Sequence, residues 1–432
     1  MRRILTTLLF STALLHAADA TAECPTGPYG PGAAAAVDGD VVVVYSVPGL
    51  APPGQRYLFV DGRRGSTVAD DGVVRCTADG LIVRDAEGTS TLWPRIALRE
   101  TDTAFTSLGS RLAGRLIEPE SADPEMPLVV MVHGSERTSA TRSSYAYMMA
   151  AQGIRVFAYD KRGTGESEGE YTQNFELLAD DAAAALGHAR EMTRGRVGRA
   201  GYFGGSQGGW VAPLAATRSD ADFVAIGFGL VVSPIDEDRE QMISEARAAG
   251  FDARAIEQIE RLSQATARLL TSHFNDGFEE LEALRHELAD APWAATIQGE
   301  HSGAMLRTSD ADLRRVGRAR FDNLELIWDY DAQAVLERLD APLLWVLAEQ
   351  DREAPIEKTR GALQSLTAAG KPVDVYLFPD TDHGMFEFRT LPDGQRQGTR
   401  ITDGYLRLLG DWIKDDVDGT YGRGTRLFGD GN

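Results

Sequence analysis

Six mainly apolar runs constrain most what this chain can fold into: LVVMV (128–132), IRVFAYD (154–160), AGYFG (200–204), DFVAIGFG (222–229), LLWVLA (343–348) and VDVYLF (373–378). A strand with one face in water alternates apolar and polar residues, so uninterrupted apolar strands require a sheet covered on both faces. The stretches between these runs carry helical periodicity, and strands alternating with helices build a mainly parallel, doubly wound α/β sheet. LAGRLIEP (112–119) reads as an antiparallel strand ahead of the parallel set. With 432 residues, 43% of them hydrophobic, the chain has material for such a domain plus a large insertion.

Three segments depart from that rhythm. Residues 1–22 carry Arg2 and Arg3, an apolar stretch from Ile4 to Leu15, and small residues at Ala18, Ala20 and Ala22. This is the pattern of a secretory signal peptide, too short for the roughly 20 residues of a membrane helix. The expectation is export to the periplasm or beyond, with no membrane anchor after cleavage; Glu23 before Cys24 argues against a lipoprotein. Residues 23–95 alternate short β-rich runs (VVVVYSV, RYLFV, GVVRC, GLIVRD) with turn clusters and read as a small β-rich N-terminal domain.

Residues 96–432 form the α/β domain, and within it the strands stop at about 235–338. There ISEARAAGFDARAIEQIERLSQATARLL and FEELEALRHEL are amphipathic helices, so the segment is expected to be an inserted helical cap. The closing DGTYGRGTRLFGDGN is expected to be a mobile tail. The two cysteines, Cys24 and Cys76, either pair in an exported protein or remain inert thiols. A net charge of −21 disfavours nucleic acid and anionic membranes as partners.

The chemistry concentrates at the ends of the apolar runs. YFGGSQGGWVAPLAA (202–216) sets Ser206 between Gly204 and Gly208, after a strand and before a helical run. With 45 glycines in the chain, G-x-S-x-G alone is weak; its strand-to-helix context is what marks a nucleophile elbow. A serine nucleophile needs a base, oriented by a carboxylate. Of seven histidines, His383 in FPDTDHGMFE follows the last parallel strand directly, whereas His188 and His286 fall on charged helices and His273 and His301 in the cap. LLWVLAEQDREAPI offers Asp351 three residues beyond a buried strand, at the carboxyl edge where open α/β sheets hold their sites. Glu349 is its neighbour competitor, while Asp380 and Asp382 are too close to His383 in sequence to orient its ring easily. The oxyanion donors expected are the backbone amides of Gln207, at the start of the helix, and Ser135, after the His133–Gly134 turn.

VHGS, YDKRGTGESEG (159–169), GGSQGG, LAEQD and DHGM occur in the order of the oxyanion turn, strand-4 loop, nucleophile elbow, acid loop and histidine loop of the α/β-hydrolases. Over about residues 95–415 the chain resembles that superfamily, and within it a bacterial branch of exported serine hydrolases grouped with esterases and with serine aminopeptidase-like and prolyl-oligopeptidase-like proteins. The resemblance implies an α/β-hydrolase fold and a Ser206–His383–Asp351 triad acting on small esters or peptides. The acid loop departs from it, with Ala-Glu-Gln-Asp where Gly-x-x-Asp is commoner.

Other patterns fail. GTGESEG lacks the dinucleotide spacing, HELAD at His286 has Asp290 where a zinc protease needs its second histidine, and AGKP lacks phosphate-loop spacing, so neither cofactor nor metal is expected. Carboxylester cleavage is the first reading and peptide cleavage the second. A peptidase would want acidic groups for a substrate amine; NDGFEELEAL (275–284) is acidic, but it reads first as a solvated helix face. The third reading is a binding module on a hydrolase fold, against which the intact constellation argues.

Overall fold

The computed structural model describes residues 24–32, 40–47, 55–67, 72–120 and 123–429; the signal-peptide segment lies outside them. The strands of the central sheet are Leu98–Ser107 (β1), Ser110–Pro119 (β2), Leu128–Val132 (β3), Arg155–Tyr159 (β4), Ala200–Gly205 (β5), Val224–Gly227 (β6), Leu343–Ala348 (β7), Val373–Phe378 (β8) and Thr425–Phe428 (β9). They lie in the order β9-β8-β7-β6-β5-β3-β4-β2-β1. Strands β3 to β8 pair in parallel, and β1, β2 and β9 join antiparallel at the two edges. This is the α/β-hydrolase architecture.

The apolar runs are apolar because alternate side chains serve two cores. Leu128, Val130 and Val132 face helices Phe175–Met192 (α2) and Gly208–Ala216 (α3), while Val129 and Met131 face helices Ser144–Ala151 (α1) and Tyr405–Lys414. Between Gly227 and Leu343 the chain leaves the sheet for six helices, from Pro234–Ala248 through Ala253–Thr271 to Ala332–Arg338. Most of them share a core of their own around Ile259, Leu262, Leu269, Leu281 and Trp293.

Before β1 two small antiparallel sheets are formed, one of four strands within 27–66 and one of three within 74–93. Cys24 and Cys76 are disulfide-bonded and tie them together, resolving the alternative left open by the sequence. In the strand Val42–Ser46, Val42 and Val44 point into this module's own core, whereas Val41 and Val43 join the core shared with α1. The module is thus fastened onto the hydrolase sheet.

The C-terminal tail is not the mobile segment expected. Thr425–Phe428 extends the sheet as β9, and Tyr421 is buried edge-on against Tyr376. The strand is only four residues long, and TRLF carries too little apolar pattern to read as a strand. Strand β1, LRETDTAFTS, was also not legible, because polar side chains dominate it and it is defined by its hairpin with β2. A hairpin of Phe386–Thr390 and Arg396–Ile401 follows the histidine loop, likewise unforeseen.

Candidate active site

Ser206 follows β5 with φ of 52°, in the left-handed region that costs an L-residue roughly 1–2 kcal/mol. The glycines around it make that turn feasible. A Cβ on Gly204 would stand 2.6 Å from the carbonyl oxygen of Gly208, and one on Gly208 2.6 Å from that of Val132. Both obstacles are backbone, so no side chain can yield; α3 starts at Gly208, directly against the end of β3.

The loops after β7 and β8 bring a carboxylate and an imidazole to this serine. The Ser206 hydroxyl lies 3.2 Å from His383 Nε2, and His383 Nδ1 lies 2.9 and 3.1 Å from the two oxygens of Asp351. Asp351 Oδ1 also accepts from the Ala354 amide at 2.8 Å, and its side chain is 1% exposed. Burial pushes the Asp351 carboxyl above its ordinary range, against the pull of His383. Burial works to lower His383, but the hydrogen bond and charge of Asp351, with Glu353 and Asp382 nearby, raise it above its usual value. Phe228 stands edge-on to the imidazole, with centroids 5.1 Å apart.

The other carboxylates weighed for the acid position are engaged elsewhere. Glu349 accepts from the Asp380 amide. Asp382 accepts from the amides of Arg352 and His383 and pairs with Arg396 at 2.8 Å. Asp382 therefore clamps the acid and histidine loops together, a positioning role the sequence did not disclose.

The His133–Gly134–Ser135 turn ends β3 beside the elbow, where a Cβ on Gly134 would approach Ser206 Cβ to 3.4 Å. Its carbonyls are held from outside: Lys161 Nζ donates to Gly134 O at 2.6 Å and the Tyr171 hydroxyl to Ser135 O at 2.5 Å. Burial lowers the Lys161 ammonium to about 8, partly offset by Glu136. Among the described residues the amides of Ser135 and Gln207 have no acceptor, which leaves both N–H groups free. Asp160 and Arg162 serve turns beside the site. Asp160 accepts from Ser139, Ala140 and Glu166, and Arg162 pairs twice with buried Asp181.

A cavity of about 290 Å³ opens over Ser206 and His383, roofed by cap residues. Three carboxylates line it: Glu237 and Glu300 from the cap and Glu353 from the acid loop. Glu353 approaches His383 Nε2 to 3.5 Å. Burial, compounded by Glu300, Asp238, Asp351 and Glu353, drives Glu237 well above the carboxylate range. Burial, with Glu353, Asp238 and Glu245, also raises Glu300, against the pull of His383. The acidic run 275–284 does not line this cavity; its Asp276 pairs with Arg268 in solvent. Sequence reasoning missed Glu237 and Glu300, whose placement depends on how the cap docks. Among the described residues no group of three His, Cys, Asp or Glu is arranged to hold a metal, and no helix is long and apolar enough to cross a membrane.

Residues 123–274 match the family model of serine aminopeptidase, S33. Among solved structures, the Pyrococcus furiosus esterase Pf2001 is 14% identical, covering 74% of this chain and 94% of that one, with a TM-score of 0.42. The Pyrococcus horikoshii acylaminoacyl peptidase is 16% identical over 80% of this chain and 50% of its own, with a TM-score of 0.42. Est1E from Butyrivibrio proteoclasticus, solved with ferulic acid, is 16% identical over 72% and 96%, with a TM-score of 0.41. None of the curated proteins searched matches significantly. The low identities and scores of these structures add nothing to the geometry of the site itself.

Proposed function

We propose that this chain, a member of the α/β-hydrolase superfamily, is an exported serine hydrolase that cleaves carboxylic esters through an acyl-enzyme. The observation that carries the proposal is the unbroken line Asp351–His383–Ser206 beside two unpaired amides. The Ser206 oxygen attacks the acyl carbon as His383 Nε2 takes its proton, and the carbonyl electron pair moves onto oxygen. The Ser135 and Gln207 amides donate to that oxyanion; one such donor is worth roughly 3–4 kcal/mol. Asp351 holds the Nδ1–H tautomer and offsets the charge of the imidazolium. Collapse of the intermediate expels the alcohol with the proton from Nε2, and water repeats the sequence on the acyl-enzyme.

Amide cleavage of small peptides is the second reading, favoured by one observation. Glu237, Glu300 and Glu353 face the cavity that His383 lines, where a substrate amine would find carboxylates. The test compares kcat/KM for a matched aryl ester and aminoacyl anilide in the protein lacking residues 1–22, with Ser206→Ala alongside. Ester turnover lost in the variant, with negligible anilide cleavage, supports the esterase. Comparable anilide turnover makes it a peptidase, and equal rates in wild type and variant refute both.

A further inference from the structure

Ser206 borders a second cavity, and its chemistry is the opposite of the first. It measures about 350 Å³ and is lined by His133 and Gly134 of the oxyanion turn and by Gly205 and Ser206 of the elbow. Its walls include Met131, Tyr145, Phe203 and Phe228 from the hydrolase domain and Tyr45 and Val47 from the N-terminal module. Tyr145 stacks on Phe203 at 6.0 Å, which makes a flat aromatic side. Several hydroxyl side chains, Ser139 and Ser143 among them, and the charged Glu136 and Arg142 also border it. Glu136 is drawn off towards His133, 3.4 Å away; although burial opposes ionisation, His133 and Lys161 hold this carboxyl at about 2.

We propose that this cavity is the acyl-chain site of the hydrolase, and that Tyr45 and Val47 of the N-terminal module set the size of the uncharged alkyl or aryl acyl group it takes. The proposal rests on the serine-hydrolase reading and adds the substrate class and a role for the module. Three observations carry it. Ser206 lines this cavity as it lines the first, so a group held in it adjoins the acylated serine. His383 must hand its proton to the leaving atom, and it lines the acidic cavity and not this one, which assigns the leaving group to the acidic side and the acyl group here. The wall is anchored: Tyr45 pairs with Arg56 within the strand Val42–Ser46, Val43 two residues before it sits in the core shared with α1, and Val47 directly follows the strand. At 350 Å³ the space lies near the bottom of the roughly 300–1,000 Å³ range of ligand pockets, enough for one ring or a medium chain.

The test uses the full mature protein, wild type, Val47→Trp, Val47→Leu and Tyr45→Ala. It runs two ester series: nitrophenyl esters from acetyl to decanoyl plus benzoyl, and acetates of increasingly large alcohols. Val47→Trp should lower kcat/KM for decanoyl and benzoyl esters by about tenfold or more, the scale of a few methylenes refused by a pocket, and leave the acetyl ester within about twofold. Val47→Leu should do the same to a smaller degree, and Tyr45→Ala should move the preferred acyl group to a longer one. Folding is checked by thermal melting, and the milder leucine variant carries the test if tryptophan is not accommodated. An unchanged acyl profile with a shifted alcohol profile would place the leaving group in this cavity and overturn the proposal, as would folded variants that change neither. If the wild type turns over none of the esters, the ester reading alone fails. The acyl site is then read from labelling of Ser206 by alkyl phosphonates, where Val47→Trp must slow long-chain and not short-chain reagents.

Discussion

Asp351→Asn separates the roles of charge and shape in this site more sharply than any other single change. Asp351 uses one oxygen for the Ala354 amide at 2.8 Å and offers both to His383 Nδ1, at 2.9 and 3.1 Å. Asparagine keeps the volume but has one acceptor oxygen. If that oxygen stays with Ala354, the side-chain NH₂ faces Nδ1 and favours the tautomer protonated on Nε2, which cannot take the Ser206 proton. If the amide flips, its NH₂ meets the Ala354 N–H, and a buried donor left unpaired costs about 1–3 kcal/mol. Either way the productive tautomer is disfavoured, and with the carboxylate charge that offsets the imidazolium in the transition state also lost, the expected total is a factor of about 10⁴ in kcat, ~5.4 kcal/mol. Stability should move the other way. The folded pKa of Asp351 lies above its unfolded value, so ionising it costs the folded state stability, a cost that accumulates as pH rises from the unfolded to the folded pKa and is constant above that. A neutral amide removes it, so the melting temperature should hold or rise. The assays are single-turnover acylation with an aryl ester and thermal melting near pH 7. A folded variant that loses less than about tenfold would refute the orienting role of Asp351.

The raised pKa of His383 puts the acid limb of the kcat/KM profile above 6.5, with activity growing as the imidazole loses its proton. Glu353→Gln removes one of the carboxylates that raise it, so the limb should shift to lower pH; an unmoved or upward shift would rule out that coupling. Breaking the Cys24–Cys76 bond with paired serines releases a constraint across 52 residues, about 4 kcal/mol in the chain-entropy view of the unfolded state. A melting temperature independent of reductant in the wild type would contradict it. In the acidic cavity burial and the neighbouring carboxylates hold the Glu237 carboxyl well above the carboxylate range, and an alkylammonium ion would favour its ionised form. Inhibition by that cation should therefore strengthen with pH and lose the dependence in Glu237→Gln, while a neutral alcohol of the same size shows none.

The fold was legible wherever a segment's surroundings left a local mark. Strands β3 to β8 are covered on both faces, and that demand writes itself as continuous apolar runs. The elbow was legible for a related reason: Gly204 is forced by the backbone of Gly208, so that constraint and its signature share one short stretch, while Gly208 is forced by Val132 at the end of β3. His383 and Asp351 stood out by lying just past such strands. Strands β1 and β9 left no such mark, since an edge strand needs a partner more than an apolar face.

The cap illustrates why the remainder of the site stayed hidden. Glu237 occupies the first turn of Pro234–Ala248, next to Asp236, where acidic residues are common because they suit the positive end of a helix. On an amphipathic helix a carboxylate turned toward an active-site cavity and one turned toward water have the same sequence signature, because the difference lies in what the helix docks against. Asp276 and the cavity-lining Glu300 make the point within one insertion: both are exposed and lie in loops between helices, and only tertiary packing brings Glu300 to the cavity. The same holds for Tyr45 and Val47, more than 150 residues before Ser206, whose nearness to it comes from a core shared between two modules. The proposed catalytic groups are anchored to strand ends and so are readable from sequence, while the groups proposed to select substrate sit on elements whose position is decided by non-local packing.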